Sequence, residues 1–346
     1  MYKNFKSSYV NILRGLAIFL MLWGHSIQYS CAGQFDFFEN TMFKLIYSFH
    51  MPLFMLISGY LFLFSEQKRG MTELIEYKSK SLLYPILMCS ILNLLLTTGI
   101  VSVLRGGYGA LLGGIPLTSL WFLWSVLACS VALAFAMKLS KDHLIQTLLL
   151  IIGILFVTLF PNWTLNIYMY PYFIVGYLYA RNKRKIRKAR MMIGYTSTIV
   201  FIVMIFFYDK KHYIYTSGLF GGETLLESLK IDLFRWAIGL FGAITATWIC
   251  WLLYGVIKKG KIHSIIENLG QDSLTVYALS TSLLSYWLPK FANILLSVLS
   301  WINWNDYIWL YNLIVTPLVA AAYSVLLLLI IKGLKKTNTY RLIFGR

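Results

Sequence analysis

Ten largely apolar stretches, most near the length that crosses a bilayer as a helix, divide this chain. They are Tyr9–Tyr29, Met42–Phe64, Ser81–Ser102, Leu117–Met137, Leu144–Phe160, Ile167–Ala180, Met191–Tyr208, Ile231–Ile257, Leu269–Leu288 and Tyr307–Ile331. The sixth is short and aromatic, closed in by Pro161 and Arg181. The pattern predicts an all-α, polytopic transmembrane bundle of about ten helices. No repeat or Pro/Gly-rich linker interrupts it, and the longest outer connection is Asp209–Lys230, so residues 1–346 read as one domain.

Composition removes the soluble alternatives. Apolar residues make up 59% of the chain and charged ones 13%, with a mean hydropathy of +0.69. Soluble domains average about 45–50% apolar and about 25% charged. Lipid is the solvent that suits this balance, and the bilayer is the first expected partner.

The net charge of +18 would suggest a nucleic-acid partner in a soluble chain. Topology accounts for it better. With both termini cytoplasmic, inner segments receive 23 of the 31 Lys and Arg residues, among them Lys68, Arg69, Lys78, Lys80 and the run from Arg181 to Arg190. Outer segments receive seven: Lys44, Arg105, Lys210, Lys211, Lys230, Arg235 and Lys290. This asymmetry points to a multi-pass protein of the plasma or inner membrane, with no nucleic-acid role. Lys3 and Lys6 ahead of an apolar run imitate a secretory signal. Arg14 breaks the run and no small-x-small cleavage site follows, so an uncleaved helix is expected. The four cysteines show neither a disulfide framework nor metal-ligand spacing, and no metal is expected.

Candidate chemistry begins in the first helix, where Arg14 and His25 are eleven residues apart. At about 100° per residue that spacing returns to nearly the same face, so both side chains are expected to look into one common internal cavity. A charge within a span costs at least roughly 2.5–3.5 kcal/mol, which makes it a functional candidate by default. Taken singly, Arg14 also fits a side chain snorkelling to the interface, and His25 a hydrogen-bonded structural residue. The second helix carries His50 and Pro52, and a short connection lets the two histidines approach at similar depth. Pro52 removes a backbone donor and frees a carbonyl nearby; it fits an ordinary kink or a cavity-lining break.

Several segments together resemble the membrane-bound acyltransferase-3 family, particularly its fucose O-acetylase-like branch. They are Arg14-Gly-Leu-Ala with His25, Phe49-His-Met-Pro-Leu-Phe and Ser58-Gly-Tyr-Leu-Phe62. Lys78-Ser-Lys80-Ser-Leu-Leu-Tyr-Pro85, Leu120-Trp-Phe-Leu123, Pro171-Tyr-Phe-Ile-Val-Gly176, Leu269-Gly270 and Ser273-Leu-Thr-Val-Tyr277 complete the series. The resemblance implies acyl transfer from cytoplasmic acetyl-CoA to a hydroxyl of a cell-surface or lipid-linked carbohydrate, with Arg14 and His25 essential. Ser280 stands where relatives often carry histidine.

On this reading His25 is the catalytic base for the acceptor hydroxyl or a transient acyl carrier, and His50 assists it. Arg14 would bind phosphates of coenzyme A, helped by Arg69, Lys78 and Lys80. Those three, like the Arg181–Arg190 run, also fit topology and anionic lipid alone. Asp36, Glu39, Glu223, Glu227 and Asp306 fit solvated surface, and Trp121 and Trp124 interface anchors. The rival from another class is a transporter or flippase for a lipid-linked or anionic solute, with Arg14 as counter-charge and His25 as proton relay.

Overall fold

A computed structural model describes residues 2–31, 34–98, 117–139, 143–257, 260–281, 283, 302–337 and 339–344. Among these residues the fold is helical throughout, with no strand. The principal helices are α1 (Tyr2–Ser30), α2 (Thr41–Arg69), α3 (Met71–Thr98), α4 (Trp121–Leu139), α5 (His143–Phe156) and α6 (Trp163–Ile186). They continue with α7 (Arg190–Ile205), α8 (Leu225–Ile257), α9 (Lys261–Gln271), α10 (273–281) and α11 (Thr316–Lys335). Seven described segments are long and apolar enough to cross a bilayer, one of them the α6–α7 stretch Trp163–Ile205. The shorter apolar stretch Leu148–Leu159 joins them, so the chain is a multi-pass membrane protein. The ends of the predicted spans Ser81–Ser102 and Leu269–Leu288, with Arg105 and Lys290, lie outside the described residues.

Helices run past the apolar windows where their sequences still favour helix. α3 begins at Met71, ten residues before its apolar window, because Glu73, Glu76, Lys78 and Lys80 are good helix formers in water. Glu76 and Lys80 pair at 2.6 Å one turn apart. Gly70, at φ 76°, provides the sharp turn between α2 and α3.

α2 is the central helix, packed along α1, α6 and α8. Its crossing with α6 requires two glycines. A Cβ on Gly59 would overlap the backbone carbonyl of Phe173, and one on Gly176 would overlap that of Leu56. Close backbone approach through small residues is how helices gain dispersion contact without a hydrophobic drive. α1 and α9 repeat the device, Gly15 against Ile266 and Gly270 against Asn11. Lys335 of α11 pairs with Asp272 at 2.6 Å, which puts the end of α11 beside α9 and the N-terminal half of α1. This is the basic end of the bundle.

The opposite end is tied by polar side chains. Asn40 caps α2 by accepting from the N–H groups of Met42 and Phe43, while its amide donates to Asn312 at 2.8 Å. Asn312 lies in a π-turn, Tyr311–Val315, that opens α11. Tyr311 donates to the Ile27 carbonyl, and Trp23 donates to Thr316 at 2.9 Å. These bonds fix the half of α1 that carries His25.

Candidate active site

His25 of α1 and His50 of α2 line one cavity of about 260 Å³ at the end away from the basic face. His50 is buried at 3% exposure, and its Nδ1 lies 2.9 Å from the Ile46 carbonyl. A carbonyl only accepts, so Nδ1 carries the proton and Nε2 the lone pair. His25 is organised similarly: Nδ1 lies 3.2 Å from Gln28 Oε1, one turn along α1. The Tyr47 hydroxyl is 3.3 Å from the same nitrogen and donates to Gln28 Oε1 at 3.4 Å. The Tyr29 ring stacks on the imidazole at 5.7 Å and the Tyr47 ring meets it edge-on. With Nδ1 held by the amide, Nε2 is the basic atom of His25.

Tyr47 also packs against His50, ring centroids 4.8 Å apart, and thus stands between the two histidines. The partners of His25 are Gln28 and Tyr47 rather than His50. Neither partner was singled out from the sequence, although both stand three residues from a candidate, Gln28 from His25 and Tyr47 from His50. Trp121 and Ser280 line the same cavity, with Tyr215 edge-on to Trp121 at 6.0 Å. The outer acids stand elsewhere: Asp36 pairs with Lys210 and Glu39 with Lys44, both at 2.7 Å.

Arg14 lies further along α1, towards the basic end. It lines a second cavity, about 240 Å³, together with Lys78 of α3 and the hydroxyls of Ser58, Ser65 and Ser81. The other two cationic candidates lie off this cavity. Arg69 sits over the Tyr77 ring at 4.1 Å and Lys80 is paired with Glu76. The structure therefore gathers Arg14 with Lys78, and His25 with His50, in separate chambers, which corrects the expectation of one common cavity: eleven residues, about 16 Å of helix, put Arg14 and His25 at different depths.

Tyr277 of α10 lines both. Its hydroxyl accepts from the Phe122 N–H at 3.4 Å, and the two rings meet edge-on at 5.5 Å. Phe122 in turn packs on Phe54 of α2. This aromatic wall separates a cationic chamber from an imidazole chamber. One chamber thus holds two cationic side chains and the other two imidazoles.

The chain is 26% identical over 290 residues to Nodulation protein NolL of Sinorhizobium fredii, covering 77% of this chain and 75% of that one. It is 23% identical over 277 residues to Nodulation protein NolL of Mesorhizobium japonicum, covering 76% and 73%. No solved structure matches the chain. The acyltransferase-3 profile, described as an acyltransferase domain, matches residues 7–332, almost the whole length and both chambers, and the chain belongs to that family of acyltransferases.

Proposed function

We propose that this protein is an O-acetyltransferase of the cell membrane. It moves an acetyl group from cytoplasmic acetyl-CoA to a hydroxyl of a cell-surface or lipid-linked carbohydrate, as the fucose O-acetylase-like branch does. The observation that carries this reading is the pair of chambers meeting at Tyr277, Arg14 and Lys78 in one and His25 and His50 in the other.

Arg14 and Lys78 attract phosphate groups of the donor, and the acyl arm reaches past Tyr277 towards the histidines. The acceptor hydroxyl enters among Tyr29, Trp121 and Tyr215, flat rings of the kind on which sugars stack. His25 Nε2 takes the hydroxyl proton as the oxygen attacks the thioester carbonyl. The C–O bond forms, the C–S bond breaks, and the proton held by His25 passes to the departing thiolate. Gln28 and Tyr47 keep the imidazole in the tautomer this requires, and His50, whose Nε2 bears a lone pair, assists as a hydrogen-bond acceptor that orients the hydroxyl.

Purified protein in vesicles, given acetyl-CoA and a candidate glycan, should release free thiol in proportion to O-acetylated product by mass spectrometry. Solute movement without thioester consumption would make the protein a carrier instead.

A further inference from the structure

A cavity larger than either chamber lies away from both histidines. A cleft of about 720 Å³ opens at the basic end, on the side of the α1–α2 pair away from the Arg14 chamber. Leu13 and Leu56 face the cleft, whereas Arg14 and Ser58 face the chamber. Ile57 of α2 borders both, so the α1–α2 wall between a ligand in one and a ligand in the other is a single side chain thick at that point.

The mouth of the cleft gathers Lys183, Arg184, Arg187, Lys188 and Arg190, and no acidic residue lines it. Among the described residues no carboxylate forms an ion pair with Arg184, Arg187, Lys188 or Arg190. Five cations converging on one concavity repel one another, and a bound anion relieves that repulsion. A basic run serving topology alone has no reason to surround a cavity. Above the cations the walls turn apolar, and the Arg190 guanidinium lies over the Trp251 ring at 3.9 Å. The neighbouring surfaces of α7 and α8 expose Met192 and Tyr195 on one helix, and Leu252 and Leu253 on the other. Such faces suit acyl chains. The order of a phosphate-seeking rim, an aromatic collar and an apolar wall matches the polarity of an amphiphile standing in a leaflet.

We propose that this cleft is a binding site for the phosphate headgroup of an anionic phospholipid in the leaflet at the basic end. It is separate from the donor chamber and does not depend on the acetyltransferase reading. Free phosphate shares the headgroup chemistry but lacks the chains that the apolar walls would hold.

The test is native mass spectrometry of the full chain in neutral detergent, titrated with short-chain phosphatidylglycerol or phosphatidylcholine. Phosphatidylglycerol should bind about tenfold or more tightly, and the Arg184→Gln/Arg187→Gln/Lys188→Gln variant should lose that preference. Lys261→Gln/Lys332→Gln/Lys336→Gln removes equal charge elsewhere on the same end and should keep it. The Arg184→Lys/Arg187→Lys variant should also keep it, which separates lost charge from lost folding. Equal binding of the two lipids, equal loss in both triple variants, or displacement of the lipid by inorganic phosphate would overturn the proposal.

Discussion

The Phe122 N–H donates to the Tyr277 hydroxyl across 3.4 Å, joining the first turn of α4 to α10. An N–H in the first turn of a helix has no partner within that helix, so the phenol satisfies a group that would otherwise be orphaned. Tyr277 is thereby held in one orientation, with one surface towards Arg14's chamber and the other towards His25's. A wall built on a helix terminus is anchored at its polar tip and movable elsewhere. In the proposed reaction that suits a partition which a slender acyl arm passes and bulk water does not.

The size of the acyl group should accordingly depend on Tyr277. Tyr277→Ala widens the passage, and the preference for acetyl over butyryl donor should fall by about tenfold, the effect of a methylene or two in a fitted pocket. Thiol release without acceptor should rise as water gains entry. Tyr277→Phe keeps the ring and should keep the preference. Competition assays with paired donors measure the ratio, and an unchanged ratio in the alanine variant would remove Tyr277 from the path.

Removing the base should be costlier than removing what positions it. His25→Ala should lower turnover by about 10²–10⁴, the usual range for a general base. Tyr47→Phe deletes only the hydroxyl that reaches His25 and Gln28 and should cost nearer tenfold. Its loss should appear in kcat with KM held, because the phenol does not touch donor phosphates. Full turnover in His25→Ala would end the proposed mechanism.

The helical spans were legible, and Arg14, His25 and His50 stood out as candidates, because apolar runs and stranded polar residues are local features of a sequence. The Arg14–Gly15 and Leu269–Gly270 motifs were visible too, but not their purpose: each glycine lets α1 and α9 touch backbone to backbone. Arg235 was legible only as one more outer cation. In the fold it is 1% exposed and binds carbonyls of Lys211, His212, Tyr213 and Gly218. Partners some twenty residues away leave no periodic signal. Tyr277 was visible only as the end of the Ser273–Tyr277 motif, and its place between two cavities leaves no local signal because they meet only in three dimensions.

Gly176 gives the packing prediction. Its missing Cβ would overlap the Leu56 carbonyl, a backbone atom that cannot swing aside. Gly176→Val should therefore separate α2 from α6 and destabilise the bundle by about 1–3 kcal/mol or more. Thermal unfolding in detergent should show a clear drop in midpoint, and an unaltered midpoint would contradict the close crossing.

Arg235 gives a second. Its guanidinium pairs with the buried Asp232 at 2.6 Å and also reaches the Ser217 hydroxyl. Arg235→Ala leaves the buried Asp232 carboxylate without its cationic partner, with the Phe220 N–H still donating to it, a loss of about 3–5 kcal/mol for a broken buried pair. The segment from Lys210 to Gly218, which carries Tyr215 to the outer cavity, should become cleavable by protease. Arg235→Met with Asp232→Leu removes both charges and should recover part of the stability.

The same segment should respond to acid through His212, which lies outside the spans. Burial pushes its pKa below the ordinary 6.5. Asp209 opposes that shift, and Lys211 and Arg235 reinforce it. Nδ1 lies 3.1 Å from the Asp209 N–H, which it accepts from when neutral, and 2.8 Å from the Asp209 carboxylate, which favours the proton. Burial, with the ring packed on Phe234 at 4.3 Å, is the larger effect and favours the neutral ring. Above 6.5 the folded and unfolded segments are both neutral, and the full stability is present. As the pH falls below 6.5 the unfolded segment takes up a proton that the folded one resists, and stability is lost as the pH drops through the folded value. His212→Gln cannot titrate. Unfolding midpoints of wild type and variant should therefore differ in their change between about pH 7.5 and about pH 5, with wild type losing more. Parallel changes in the two proteins would mean that His212 does not govern the acid response of the outer loop.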